Sequence, residues 1–196
     1  RTWLQHILTN FGHTHGSEGS FNNHLGVPLS LARMPADTQY GVFEVGTNHP
    51  GEIQPLSDMI APTIAIVLNV LPVHIGHFAS FDALVQEKLS LRSGLTSSGQ
   101  LILQSALSDS VSGPLSTFGT APSADIQWEH LVGAQAAITV GKQRYTLEMP
   151  ALGTHLIPTA AACLAVIQAL GLDIQTAINL LTSAPLPIGR GNAEHI

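Results

Sequence analysis

Glu44, His74 and Lys88 are residue types suited to holding a metal and a phosphate, and all three sit at the ends of, or within, otherwise apolar elements. Glu44 falls in the run Tyr40-Gly41-Val42-Phe43-Glu44-Val45, which reads as a strand buried on both faces. A carboxylate is costly there unless something compensates it, and a bound cation would. A second apolar, β-branched run over residues 63–69 ends in Asn69, and His74 follows five residues later, past Pro72. In open α/β sheets ligands bind beyond the carboxyl ends of the strands, so Glu44, Asn69 and His74 can face one crevice. A hard cation such as Mg2+ prefers oxygen ligands and keeps several waters. Glu44 plus nucleotide phosphates would therefore suffice, with His74 as an additional ligand. The alternatives are a structural carboxylate at a strand end and a loop imidazole facing solvent. Lys88 belongs to the helical stripe Leu84, Lys88, Leu91, Leu95, spaced by four, three and four. An amine among leucines either snorkels outward or is desolvated. A desolvated amine has a lowered pKa and can take up carbon dioxide as a carbamate, which would offer a metal a further anion.

These residues need a scaffold, and the rest of the chain supplies one. At 196 residues and 44% hydrophobic content it can bury a core as one domain. Trp3, Leu4, Ile7, Leu8 and Phe11 recur at helical spacing, with Gly12 as a stop. No strand precedes that helix, whereas in an open α/β sheet the first helix packs on one, so a strand is expected upstream of Arg1. Residues 27–34, 52–60 and 80–95 read as helices, and residues 40–45, 63–69 and 99–104 as strands. The alternation predicts a doubly wound, mostly parallel α/β sheet flanked by helices. Between residues 125 and 149 the pattern shifts to short strands, with Gly141-Lys142-Gln143 as a hairpin turn, which predicts a small antiparallel sub-sheet. Residues 153–170 and 174–181 return to helix, and the stretch from Pro185 to Gly191 reads as an extended exit.

Composition excludes several roles. A net charge of -6 with 7 Lys+Arg and no basic cluster argues against a nucleic-acid surface. The apolar stretch from Leu156 to Leu172 is interrupted by Pro158, Thr159 and Gln168 and is short for a membrane span, so a buried helix is expected. The single cysteine, Cys163, lies in an apolar run and reads as a small core residue. With no partner for a disulfide, the chain suits a reducing, cytoplasmic setting. Glu52 in a helix first turn is explained by the helix dipole, and His24, His49 and His77 read as loop residues without zinc spacing.

The ordered motifs Ser20-Phe21-Asn22-Asn23-His24-Leu25-Gly26-Val27-Pro28-Leu29, Phe43-Glu44-Val45-Gly46-Thr47-Asn48-His49-Pro50-Gly51-Glu52-Ile53, Asn69-Val70-Leu71-Pro72-Val73-His74, Glu87-Lys88 and Gly189-Arg190-Gly191 span essentially the whole chain. Together they resemble the central domain of Mur ligases, most closely the branch that adds D-Ala-D-Ala to UDP-N-acetylmuramoyl-tripeptide. The resemblance implies a P-loop NTPase-like central domain over residues 1–191, with residues 192–196 opening a linker to a carboxyl-terminal domain. It also implies an ATP- and Mg2+-dependent amide ligase of peptidoglycan precursor synthesis, monomeric, working through an acyl phosphate. On that resemblance Glu44, His74 and carbamylated Lys88 are metal ligands and catalytic residues, and Asn22 and Asn23 lie near the muramyl substrate. Asn69, His155, Thr159 and Arg190 fall to the nucleotide. The family's phosphate loop would stand just before the first helix, so residues 1–196 alone are expected to be inactive. Thr159 stands where the family usually carries an adenine-contacting Asn, four residues after His155. A folylpolyglutamate synthase-like ligase and a non-catalytic Mur-like binding module are the alternatives.

Overall fold

The computed structural model describes residues 1–72, 75–149 and 154–185. Its strands fall into two sheets. The smaller is a parallel pair, β1 (Thr14–Gly16) and β2 (Tyr40–Val42), joined through α2 (Gly26–Ala32). The larger runs in spatial order from β3 (Ile64–Val67) through β4 (Gln100–Gln104), β5 (Ser116–Gly119), β6 (Ile126–His130) and β7 (Gln135–Val140) to β8 (Gln143–Glu148). Its first four strands are mutually parallel, whereas β6, β7 and β8 are antiparallel. The antiparallel ladder expected over residues 125–149 thus continues the parallel sheet. Its β7–β8 turn passes through Gly141, whose φ of 59° suits glycine.

Alternation of side chains along the strands divides the core between the two faces of the sheet. Ile102, Phe118, Ile126 and Ile138 pack with α1 (Thr2–Leu8), α5 (Ile157–Ala169) and α6 (Ile174–Thr182). Ala65, Val67, Leu101 and Leu103 pack with Val85 and Leu89 of α4 (Phe81–Leu89) on the other face. Nine residues of α5 are buried, so this helix lies largely inside the protein, as its mostly apolar sequence requires. Cys163 is among them, and burial pushes its thiol up to about 11. Among the described residues no helix is long and apolar enough to cross a membrane.

Three expectations need correction. The strand read over residues 40–45 stops at Val42, because β2 pairs only with β1 and its ladder ends with the register Gly16↔Val42. The helix read over residues 80–95 is α4 followed by a 3-10 turn, Ser90–Gly94. The tighter turn brings Gly94 against α3 (Ile53–Ile60), where a Cβ would overlap the Ser57 carbonyl. The first helix ends four residues before Gly12. Its last carbonyls are met by Thr9 Oγ1 donating to Gln5 O (2.7 Å) and Asn10 Nδ2 donating to His6 O (2.9 Å).

Candidate active site

No hydrogen bonds join β2 to β3, and a cavity of about 580 Å3 lies between them. Residues 41–45 form one wall and residues 64–69 another. The remainder comes from α1, from Ile53 and Ile60 of α3 with Pro62, from Lys88 of α4 with Leu91 after it, and from Leu156 and α5. Four of the residues singled out from the sequence face it: Glu44, Asn69, Lys88 and Thr159. They come from the carboxyl ends of β2 and β3, from α4, and from the first turn of α5.

Glu44 lies in the loop two residues beyond β2, and its side chain is 52% exposed. The buried-strand carboxylate expected from the apolar run is therefore a half-open one at the cavity mouth. Asn22 Nδ2 donates to Glu44 Oε1 at 3.5 Å, and Arg1 Nε stands 4.0 Å from Oε2. Asn22 is held there by its own backbone, since its carbonyl accepts the Gly46 N–H at 2.8 Å. A Cβ at Gly46 would lie 2.8 Å from Asn22 Nδ2, so a larger residue there would push the Asn22 amide aside. The carboxylate keeps acceptor capacity toward the cavity, which fits a hard cation that takes one protein oxygen, phosphate oxygens and water. Among the described residues no three His, Cys, Asp or Glu side chains gather as a metal cage.

Lys88 is half-buried in the last turn of α4. Burial holds its ammonium pKa below the usual lysine range, and the neighbouring Glu87 charge works against that shift. Asn69 is exposed two residues beyond β3, and Thr159 is partly buried. His155 is exposed in the 3-10 turn Thr154–Leu156 and does not line the cavity, although Thr159 does. Asn23 Oδ1 accepts the N–H groups of Leu25 (3.1 Å) and Gly26 (2.9 Å), which leaves its amide nitrogen for another partner. His74 and Arg190 lie outside the described residues.

Two carboxylates shape the loop after Glu44. Glu52 Oε2 accepts the N–H groups of Asn48 (2.7 Å) and His49 (3.1 Å) and the Thr47 hydroxyl (3.0 Å). The backbone donors of Asn48 and His49 hold its pKa down to about 2, and the Thr47 hydroxyl adds to the effect. Glu52, read from the sequence as an acid favoured at a helix start, is the N-cap of α3 and also closes the turn before it. Glu87, which sequence reasoning passed over in favour of Lys88, is buried. It accepts N–H groups from Gly51 (2.7 Å), Glu52 (3.0 Å) and Ile53 (2.9 Å). The signal was present: Glu87 is three residues after Leu84 and four before Leu91, on the apolar side of α4. His49 and His77 are exposed, with their rings edge to face at 4.6 Å.

Comparison with known proteins identifies the family and the fold. Residues 1–167 match the family model described as Mur ligase middle domain. The UDP-N-acetylmuramoyl-tripeptide--D-alanyl-D-alanine ligase of Bacillus subtilis (strain 168) is 31% identical over 156 residues, covering 77% of this chain and 34% of that protein. The ligase of the same name from Rickettsia prowazekii (strain Madrid E) is 28% identical over 208 residues, covering 98% of this chain and 45% of that one. The chain therefore spans less than half the length of these relatives. A crystal structure of MurF from Acinetobacter baumannii superposes with a TM-score of 0.88 at 26% identity, over 97% of this chain and 44% of that one. MurF ligase from Thermotoga maritima, solved in complex with ADP, shares the fold with a TM-score of 0.87 at 22% identity, over 99% of this chain and 47% of that one. With the family model covering most of its length, this chain belongs to the Mur ligase middle-domain family.

Proposed function

We propose that this chain is the nucleotide-binding middle domain of a cytoplasmic, monomeric ligase that uses ATP to join D-Ala-D-Ala to UDP-N-acetylmuramoyl-tripeptide. The observation that carries the reading is the convergence of Glu44, Asn69, Lys88 and Thr159, from four separate elements, on one cavity at the carboxyl ends of β2 and β3. Among the described residues the facing edges of β2 and β3 are unpaired, so a further strand, and with it a phosphate loop, would fit the apolar length of the gap and leave its carboxyl end, with Glu44 and Asn69, open. Residues 1–191 are assigned to this domain.

In the proposed reaction the substrate carboxylate takes the γ-phosphoryl group of ATP. The incoming amine then attacks the acyl phosphate, and the tetrahedral intermediate expels inorganic phosphate to leave the amide. Mg2+ would spread the charge of the transferring phosphoryl group. Glu44 would hold it with His74 and a carbamate on Lys88, whose desolvation favours the neutral amine that carbamate formation requires. Asn22, beside Glu44, and Asn23, whose Oδ1 alone is engaged in capping α2, are assigned to the polar substrate. Asn69, His155, Thr159 and Arg190 are assigned to the nucleotide.

The test is phosphate release by the intact protein with ATP, Mg2+, UDP-N-acetylmuramoyl-tripeptide and D-Ala-D-Ala. Release dependent on both substrates is expected, and Lys88→Ala should lower kcat by about 100-fold, the scale for removing one electrostatic stabiliser. Absence of release would overturn the assignment. Release with a folate and glutamate instead would select the folylpolyglutamate alternative.

A further inference from the structure

Glu87 is the charged side chain that stands out as buried among the described residues, at 8% exposure. Its two oxygens take three successive N–H groups, those of Gly51, Glu52 and Ile53, at 2.7–3.0 Å. Ile53 opens α3 and Glu52 is its N-cap, Gly51 belongs to the turn just before, and the helix makes no side-chain cap of its own. An acid from a different helix thus does what an N-cap residue normally does locally, with the helix dipole adding to the attraction.

The position of this contact gives it a consequence for the site. From Glu44 onward, each part of the loop is tied down. Gly46 is bound to Asn22, residues 47–49 are bound to Glu52, and residues 51–53 are bound to Glu87. The next residue after Glu87 is Lys88. Neighbouring helical residues point about 100° apart, so one turn of α4 sends Glu87 into the start of α3 and Lys88 toward the cavity. We propose that Glu87 is a positioning residue that fastens the helix bearing Lys88 to the loop bearing Glu44 and so sets the spacing of those two groups. This rests on the ligase reading above. A glutamine would keep one acceptor oxygen for Glu52 and Ile53 but turn its NH2 group toward the Gly51 N–H. An alanine would leave three donors without a partner.

The experiment uses the intact protein with Glu87→Ala and Glu87→Gln. A displacement of about 1 Å at a reacting group costs on the order of 100-fold. Glu87→Ala should therefore lower kcat on that scale while the KM for D-Ala-D-Ala stays as in wild type, and Glu87→Gln should recover part of the loss. Amide hydrogen exchange without substrates should quicken at Gly51, Glu52 and Ile53 in Glu87→Ala, with the amides of β4 and β7 still protected. Wild-type kcat in Glu87→Ala would overturn the proposal. So would a loss that tracks exchange across the whole sheet, or unchanged exchange at residues 51–53. A wild-type enzyme that releases no phosphate would defeat the ligase reading alone, and the exchange comparison would still decide whether Glu87 holds the loop.

Discussion

Lys88 and Glu52 have depressed pKa values for opposite physical reasons. Lys88 loses hydration at the cavity wall, which penalises its charged form, whereas Glu52 gains donors, which favour its charged form. Glu52 makes a testable link to acid stability. Its folded pKa of about 2 lies below the ordinary 4.5, so its contribution is fully present above about pH 4.5 and is lost as pH falls toward 2. Glu52→Gln should therefore lower the melting temperature most above pH 5, and the difference from wild type should shrink steadily between pH 4.5 and the lowest pH at which both still fold. A difference independent of pH would contradict the hydrogen-bonded turn as the cause. At this scale the sequence was informative where a residue broke its local pattern, as Lys88 did among leucines. Glu87 broke the same pattern, but its partners are backbone amides some 35 residues away, which no local pattern records.

The long apolar elements could be read from sequence because burial dictates their composition. Leu101-Ile102-Leu103 in β4 and residues 157–169 in α5 are examples. Strand β5 could not, since Ser116-Thr117-Phe118-Gly119 carries one large apolar residue and follows Gly113-Pro114. Its place is secured by tertiary contacts: Phe118 is fully buried between α5 and the sheet, and Asp125 Oδ2 accepts the Thr117 N–H at 2.7 Å. The opposite error occurred at Phe43-Glu44-Val45, where an apolar run suggested strand but β2 has a partner on one side only. The packing of α3 against the 3-10 turn after α4 gives a prediction at this scale. Gly94→Ala would drive a methyl group into the Ser57 backbone, and overpacking of this kind costs about 1–3 kcal/mol. Urea denaturation of the intact protein should show that loss with an unchanged m-value, and a neutral outcome would mean that the helix and turn can separate freely.

Across the whole molecule, two sheets border one cavity, with Glu44 and Asn69 just beyond their strand ends and Lys88 and Thr159 on flanking helices. The larger sheet, packed on both faces, forms the side of the site that carries Asn69, Lys88 and Thr159. The two-stranded sheet brings Glu44 and the Asn22 loop. This division explains why hydrogen-bonded carboxylates line the path between Glu44 and Lys88: the two groups belong to halves that no strand pairing joins. The central claim is that both halves serve one divalent ion. The most direct measurement is a crystal structure of the intact protein with a non-hydrolysable ATP analogue and Mn2+, the metal located by anomalous scattering. The account predicts a metal within about 2.2 Å of Glu44 and of a carbamate on Lys88, with His74 and phosphate oxygens completing its shell. A metal held by other residues, with Glu44 and Lys88 both beyond reach of it, would contradict the account.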